Sequence, residues 1–442
     1  MAIHLSDHFT YHRLLKFTLP SITMMIFISI YSVVDAFFVS NFVGKTAFTA
    51  ICLIFPLLMI LASVGFMLGT GGAALVAKLL GEQKKEQACQ AFALFVHSTL
   101  ISGAILALLG QIVLEPVVRL LGATGTTFDY SVLYGRISLL SLPFFMLQYC
   151  FQPFFVTAER PNLGLIVTVV AGSANIILDA LLIIVVPWGL TGAAIATSMS
   201  EVLGALIPFC YFKRNTTNLC LTKASWSLRL LVKGCGNGFS EFLTNVAAPL
   251  LTGLYNFQLY RLIGEDGVAA LGVILYVSFV FSTLFLGYAI GSSPLVSYNL
   301  GAKAFGELRN IFSKSVLLTL AAGISLTFIA YFSAEQLAVI FIGYDANLVQ
   351  LTRDALRSYA PVFMMLGLNI YGGSFFTALN NGVASAVISL LRTIVFGCLF
   401  LFILPIFLGL QGVWLAFSLT EFATLIVTIA LIVFCRKEYQ YI

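Results

Sequence analysis

The residues of this sequence best suited to chemistry are four polar side chains set in long apolar stretches, namely Asp35, Asn175, Asp179 and Thr197. Asn175 and Asp179 are four residues apart, so both side chains lie on one face of their helix. Two carboxylates, an amide oxygen and a hydroxyl could replace the water around Na⁺. Equally, two close carboxylates in a membrane cannot both ionise easily, so the pair could carry a proton. The sequence leaves both interpretations open.

The spacing of these residues from the helix ends places them at a common depth. Asp35, Asp179 and Thr197 each lie six to eight residues from the Asn, Pro or Gly that marks the outer end of a helix. At 1.5 Å per residue this is roughly 9–12 Å. We therefore expect three helices to form one cluster of polar oxygens. For each residue taken alone, the alternative is a structural hydrogen bond between helices.

Five more polar residues within or beside apolar stretches admit a functional or a structural role. Glu241 opens the predicted seventh helix with Asn245 one turn later, and we hypothesise that they contact substrate or a second proton. A helix cap or an interfacial carboxylate is the alternative for Glu241. Glu201 and Glu421 are separated by 220 residues and repeat one motif, which favours an architectural role. Arg392 is expected to pair with a carboxylate or with backbone carbonyls.

Composition defines the class of protein that carries these residues. Of 442 residues, 60% are hydrophobic and only 9% are charged, whereas soluble domains have about 25% charged residues. Twelve stretches reach the roughly 20 apolar residues that a spanning helix needs, and only helices or closed barrels satisfy a backbone in lipid. The sequence thus predicts an all-α integral membrane protein, in which Pro116 marks the end of the third helix. The predicted helices are 14–39, 47–79, 88–114, 131–156, 163–186, 190–212, 234–259, 267–298, 308–332, 350–379, 383–405 and 410–434.

The chain repeats itself with a constant shift of 220 residues. Six positions of Gly71–Phe92 are identical to their counterparts in Gly291–Phe312, and six of the thirteen positions in 189–201 are identical to those in 409–421. Six helices per half put both halves in the membrane in the same direction, as two parallel six-helix repeats. The predicted domains are an N-lobe (1–212), a cytoplasmic linker (213–233) and a C-lobe (234–442).

The two halves differ at the polar cluster. The shift maps its four residues onto Tyr255, Val395, Leu399 and Phe417, which cannot replace them. A purely architectural set would be expected in both halves, so this difference favours a functional role for the first-half cluster.

The distribution of basic residues predicts the orientation of the chain in the membrane. The motifs of several other functional classes of protein are absent from the sequence. Sixteen Lys and Arg residues fall in one set of predicted inter-helix segments and six in the other, so both termini are expected in the cytoplasm. His4, His8 and His12 are expected in a solvated lead-in to a retained first helix. No nucleotide-binding loop, cysteine metal motif or catalytic cluster occurs. We therefore expect no enzyme, no nucleic-acid partner and no cofactor besides a coupling ion.

The sequence resembles the multidrug and toxic-compound extrusion (MATE) family over essentially the whole chain. The motifs that carry the resemblance are Pro20 and Asp35, GTGGAALVAKLLGE, Tyr134-Gly135-Arg136-Ile137, Asn175-x-x-x-Asp179, GLTGAAIAT, and Arg392 with GLQGVWLA. The resemblance implies two six-helix lobes around a central cavity, exporting organic, often cationic and amphipathic, compounds against Na⁺ or H⁺ by alternating access. It also implies an N-lobe cation site at Asp35, Asn175, Asp179 and Thr197, with Tyr134 nearby.

The resemblance is closer to DinF-like and related bacterial branches than to NorM-like ones. A NorM-like aspartate is missing from the tenth helix, where only Asn369 stands. These branches imply a monomer in the bacterial inner membrane, with lipid and small organic compounds as its partners. The alternative function is a flippase or exporter of one lipid-linked compound or metabolite on the same scaffold.

Overall fold

The computed structural model describes residues 3–214, 218–343 and 345–441, and almost all of these residues are helical. Several helices include a turn of wider π-type hydrogen bonding. The helices are α1 (Tyr11–Val43), α2 (Lys45–Gly81), α3 (Lys85–Leu120), α4 (Gly125–Thr157), α5 (Pro161–Val185), α6 (Gly189–Lys213), α7 (Leu228–Ile263), α8 (Glu265–Gly301), α9 (Phe305–Phe332), α10 (Ala334–Ile342), α11 (Ala346–Tyr359), α12 (Val362–Ala378), α13 (Gly382–Leu408) and α14 (Leu410–Tyr439).

The predicted spanning helices are found, with two corrections in the second half. Within the described ranges, ten helices are long and apolar enough to cross a membrane. The seventh predicted span is α7, which has 36 residues but a more polar sequence. The tenth is not continuous, because it breaks before Pro361 into α11 and α12. The short helix α10 was not predicted.

Two predicted boundaries were wrong. Pro116 does not end the third helix, since α3 continues to Leu120; prolines are tolerated within spanning helices because neighbouring groups satisfy the freed backbone. The helix α7 begins at Leu228 rather than at residue 234. The segment between α6 and α7 is therefore 214–227, shorter than the predicted linker, and residues 215–217 lie outside the described part.

The 220-residue repeat is present in the backbone itself. Gly44 and Gly264 both precede a helix with positive φ angles of 117° and 70°, and Gly189 and Gly409 both have a φ of 56°. Residues with a Cβ rarely adopt such angles, whereas glycine does so at no steric cost. The same turns are thus built by the same residue type at equivalent places in each half.

The buried core follows the two lobes. The buried residues of two hydrophobic clusters all lie within 39–219, and those of a third all lie within 255–416. The fourth cluster combines residues of both halves and includes Phe9 and Tyr441, near the two chain ends. Both described termini therefore lie at the same end of the helix bundle, which we call the terminal end.

At the terminal end the lobes meet through a reciprocal pair of glycines. Gly81, the last residue of α2, lies so close to α8 that a methyl group would collide with the carbonyl oxygen of Tyr298. Gly301, the last residue of α8, faces the carbonyl oxygen of Lys78 in the same way. The two contacts are related by the 220-residue shift, so this crossing has a local two-fold symmetry.

A second pair of crossings follows the same rule. Gly71 of α2 lies against Gly238 of α7, and Gly291 of α8 lies against Thr18 of α1. These positions all fall in the halves of their helices nearest the terminal end. The close contacts between the lobes are thus concentrated at that end, which is closed in this conformation.

The segment before α1 ties the two lobes together at the terminal end. His4 Nδ1 lies 2.8 Å from a carboxylate oxygen of Glu159, at the end of α4, and His8 Nδ1 lies 2.6 Å from a carboxylate oxygen of Glu307, at the start of α9. Backbone N–H groups of the segment donate to the other oxygen of each carboxylate. The predicted solvated lead-in is confirmed for His4 and His8, whose side chains are 56% and 68% exposed, and their contacts to the two lobes are an addition to that prediction.

Candidate cation site and its surroundings

The structure brings the predicted polar cluster together in the N-lobe. The side chains of Asp35 on α1 and Asp179 on α5 interact directly, close enough for a protonated carboxyl to donate to the other. Asn175 Nδ2 donates to Thr197 Oγ1 on α6 over 3.5 Å. Asp179 is fully buried and Asn175 is 2% exposed. Three helices thus place carboxylate, amide and hydroxyl oxygens in one buried region.

Most of the acceptor oxygens in this cluster lack a hydrogen-bond donor. Among the described residues, none donates to Oδ1 of Asp35, to either carboxylate oxygen of Asp179 or to Oδ1 of Asn175. A buried polar atom without a partner is costly, and a buried charge without a partner is more so. The arrangement therefore suits a proton on the carboxyl pair or a small cation bound by these oxygens.

Local distortions of the helices lie beside both aspartates. A turn of π-helix, Ala180–Val185, begins directly after Asp179, and another, Val39–Val43, begins four residues after Asp35. Such turns occur frequently at functional sites, because the widened hydrogen bonding interrupts the regular helix. They place irregular backbone on the side of the carboxyl pair away from the terminal end.

Two further side chains complete the surroundings of the cluster. The Tyr134 hydroxyl on α4 lies within hydrogen-bonding reach of Thr197 and Ser138. Glu201, assigned to architecture from its repetition, lies within electrostatic range of Asp35, and its Oε2 is buried without a described partner. Its spacing gave a signal that was missed, because Glu201 follows Thr197 by four residues and so shares its helix face.

The C-lobe holds an ion pair at the equivalent level. Arg392 Nε donates to Glu421 Oε1 over 2.7 Å, which confirms the expectation that Arg392 pairs with a carboxylate. Asn369 Nδ2 on α12 donates to Glu421 Oε2, also over 2.7 Å. Arg392 lies within a turn of π-helix, Leu391–Phe396. Both oxygens of Glu421 are thus occupied by protein donors.

Glu241 and Asn245 both lie on α7 in the C-lobe. Because α7 begins at Leu228, Glu241 lies thirteen residues into the helix, about 20 Å from its start. The alternative of a helix cap is therefore wrong. Asn245 Nδ2 donates to the backbone oxygen of Glu241 over 2.8 Å, and Glu241 lies within electrostatic range of Arg392.

Two repeated lobes of spanning helices with a buried polar cluster at mid-depth define a membrane transporter. The sequence model of the MatE family matches the chain twice, at residues 20–181 and again at 242–403. The chain therefore belongs to the MATE family of multidrug efflux transporters, which are not enzymes.

The chain aligns with related sequences and with solved structures over nearly its full length. The multidrug export protein MepA of Staphylococcus saprophyticus is 23% identical over 404 residues, covering 91% of this chain and 87% of the relative. MepA of Staphylococcus haemolyticus is 23% identical over 406 residues, covering 91% and 89%. A crystal structure of MATE in complex with MaL6 aligns with a TM-score of 0.92 at 20% identity, covering 99% and 98%. The outward-facing conformation of a multidrug resistance MATE family transporter of the MOP superfamily aligns with a TM-score of 0.89 at 21% identity, with the same coverage.

Proposed function

We propose that this protein is a secondary antiporter that exports organic compounds in exchange for Na⁺ or H⁺, with the cation bound in the N-lobe. The observation that carries the proposal is the group of buried carboxylate and amide oxygens without donors at Asp35, Asn175 and Asp179. Thr197 and Tyr134 supply hydroxyl groups at the edge of this group. The related proteins named for multidrug export support the choice of organic compounds as substrates.

The carboxyl pair offers a direct means of coupling. With a cation or proton between Asp35 and Asp179, the repulsion of the two carboxylates is removed, and α1 and α5 can pack closely. Without it, the buried charges favour a rearrangement that exposes them to water. A gradient of the ion thereby biases the conformations of the two lobes, since a ligand shifts an equilibrium only by binding one state better.

The proposal also includes the orientation of the protein in the membrane. The count of basic residues supports a cytoplasmic terminal end, and the bacterial relatives support a bacterial inner membrane. The conformation closed at the terminal end would then open its path to the outside. Export requires the alternate state, in which the contacts of Gly81 and Gly301 separate.

The test is efflux of a fluorescent cationic dye from proteoliposomes, first under a Na⁺ gradient alone and then under a pH gradient alone. Wild type is compared with Asp35→Asn and with the control Asp129→Asn, whose carboxylate is exposed on α4. We expect uphill efflux under one gradient in wild type and control, and none in Asp35→Asn. Uphill efflux by Asp35→Asn would refute the site. No efflux by wild type under either gradient would favour the narrow-substrate flippase.

A further inference from the structure

A partly open cavity of about 190 Å³ lies in the C-lobe between α7, α11, α12, α13 and α14. Its wall includes Tyr255 and Phe417, the residues that the 220-residue shift pairs with Asp35 and Thr197. The cavity therefore occupies the position in the C-lobe that the polar cluster occupies in the N-lobe. Nothing in the coupling proposed above makes use of it.

One side of the cavity is aromatic and tightly fixed. The rings of Tyr255 and Phe417 stack with centroids 3.9 Å apart and planes 13° from parallel, and Tyr359 meets Phe417 edge-on at 5.1 Å. The Tyr359 hydroxyl is held by Ser278 Oγ at 2.8 Å. Aromatic rings prefer such offset or edge contacts with other rings, so this wall offers a preformed surface to a further flat ring.

The other side of the cavity carries the Arg392–Glu421 pair, in which both carboxylate oxygens already accept from protein donors while most of the arginine N–H groups are uncommitted among the described residues. Glu421 is 9% exposed at its side chain, and its two carboxylate oxygens already accept from Arg392 and Asn369. Arg392 is 21% exposed and donates through Nε, while its two terminal nitrogens have no hydrogen-bond partner in the described part of the chain. Guanidinium groups have five N–H donors and no acceptor, so what remains available is a cluster of positively charged donors.

This distribution of donors selects the ligand. A cationic group entering the cavity would meet a carboxylate whose charge is already paired with Arg392, and Glu241 lies one turn of α7 closer to the terminal end than the lining residue Thr244. A carboxylate would find the terminal N–H groups of Arg392 in the geometry that favours paired hydrogen bonds. At about 190 Å³, the cavity is smaller than the roughly 300 Å³ of drug-sized sites, so it suits one ring system rather than a whole drug.

We propose that the C-lobe cavity binds the aromatic carboxylate end of an exported compound, with the ring on Tyr255 and Phe417 and the carboxylate on Arg392. The inference rests on the proposed export of organic compounds and names one class of them. Each lobe then has a separate role at equivalent positions: the N-lobe binds the coupling cation, and the C-lobe binds part of the substrate.

The test is equilibrium binding to the purified full-length protein without any gradient, using 1-naphthoate and its neutral counterpart 1-naphthamide as probes. Both present the same rings, so their difference isolates the carboxylate. A charge-assisted hydrogen bond is expected to give naphthoate about a 10- to 100-fold preference. We expect Phe417→Leu to weaken both probes alike, since it removes the ring surface and leaves the ion pair intact.

The decisive variant is Arg392→Gln combined with Glu421→Gln, which removes both charges while keeping a neutral hydrogen-bonded pair. We expect it to lose the preference for 1-naphthoate over 1-naphthamide. The matched control is Arg136→Gln with Glu115→Gln, because this second Arg–Glu pair is exposed and distant from the cavity. Arg392→Lys, which keeps the charge, is a second test should the neutral pair fold poorly, and it should retain part of the preference.

The outcomes separate this inference from the proposed function. Equal binding of the two probes by wild type, binding of neither, or a preference that survives the neutral pair would each overturn the cavity's assignment. Absent efflux under both ion gradients, with the naphthoate preference intact and lost in the neutral pair, would refute the antiporter proposal while leaving the binding site established.

Discussion

Replacing Gly81 by alanine should prevent closure of the terminal end. The added methyl group would collide with the carbonyl oxygen of Tyr298, and a backbone atom in a helix cannot rotate away as a side chain could. Overpacking of this kind costs about 1–3 kcal/mol. Since the contact exists only in the closed state, the whole cost falls on that state and shifts the equilibrium toward opening by about 5- to 150-fold.

The shift can be measured as a distance. Spin labels at Lys84→Cys and Gly306→Cys, in a background without the native cysteines, report the separation of the lobes at the terminal end. We expect Gly81→Ala to move the distance distribution toward longer values and to reduce efflux. Gly272→Ala is the matched control, because an added methyl group at Gly272 meets nothing within 4 Å.

The equivalent contact of Gly301 provides a second test of the same crossing. Gly301→Ala should act like Gly81→Ala, and the double variant should shift the distance by less than the sum of both, because the first substitution already separates the crossing. Unchanged distances in Gly81→Ala, or an equal change in the Gly272→Ala control, would refute the idea that these glycines permit closure.

Three further predictions follow from contacts elsewhere. The Glu159 carboxylate raises the pKa of His4 above 6.5; the contact therefore stabilises the fold fully below pH 6.5 and is lost as pH rises through the raised pKa. Protection of residues 3–10 against hydrogen exchange, taken relative to the intrinsic exchange rate at each pH, should fall over that window in wild type but not in His4→Gln, and pH-independent protection in wild type would contradict this. A mild oxidant should join Cys89 and Cys220, whose Sγ atoms are 3.0 Å apart. Burial raises the pKa of Cys220 to about 11, so thiol labelling should show faster joining at higher pH, and free thiols throughout would contradict it. Glu421→Ala should lower the free energy of unfolding by about 3 kcal/mol, seen as a lower melting temperature, because it leaves its arginine partner unpaired; an unchanged melting temperature would show that water already screens the pair.

The sequence predicted the spanning helices and the N-lobe cluster because both leave a local signal. Apolar length marks a span, and a polar residue inside one stands out. Asp35, Asp179 and Thr197 could be brought to one depth by counting residues from the helix ends, and the structure brings their side chains together. Whether the cluster binds a cation stays a prediction.

Counting residues along the chain could not predict features that depend on contacts between distant residues. The sequence placed His4 and His8 in a solvated lead-in, but it gave no sign that they contact Glu159 and Glu307, more than 150 residues away. The C-lobe cavity was missed for a related reason. Its aromatic residues are indistinguishable in sequence from the many others that fill the core or face lipid.

Local rules also failed where competing ones applied. Proline is a helix breaker by rule, yet Pro116 lies inside a continuous helix whereas Pro361 accompanies a real break. Neighbouring helices decide which outcome occurs, and a single sequence does not show those neighbours.

The reciprocal crossing of Gly81 with Tyr298 and of Gly301 with Lys78 has the form of an isologous dimer interface, in which each partner offers the other the same patch. A six-helix ancestor pairing with its own copy through this patch would have carried two identical inner sites. Joining the copies in one chain removes that constraint, since each half can then change alone. The exchange of Asp35 for Tyr255 at equivalent positions is a change that only a fused chain can confine to one side.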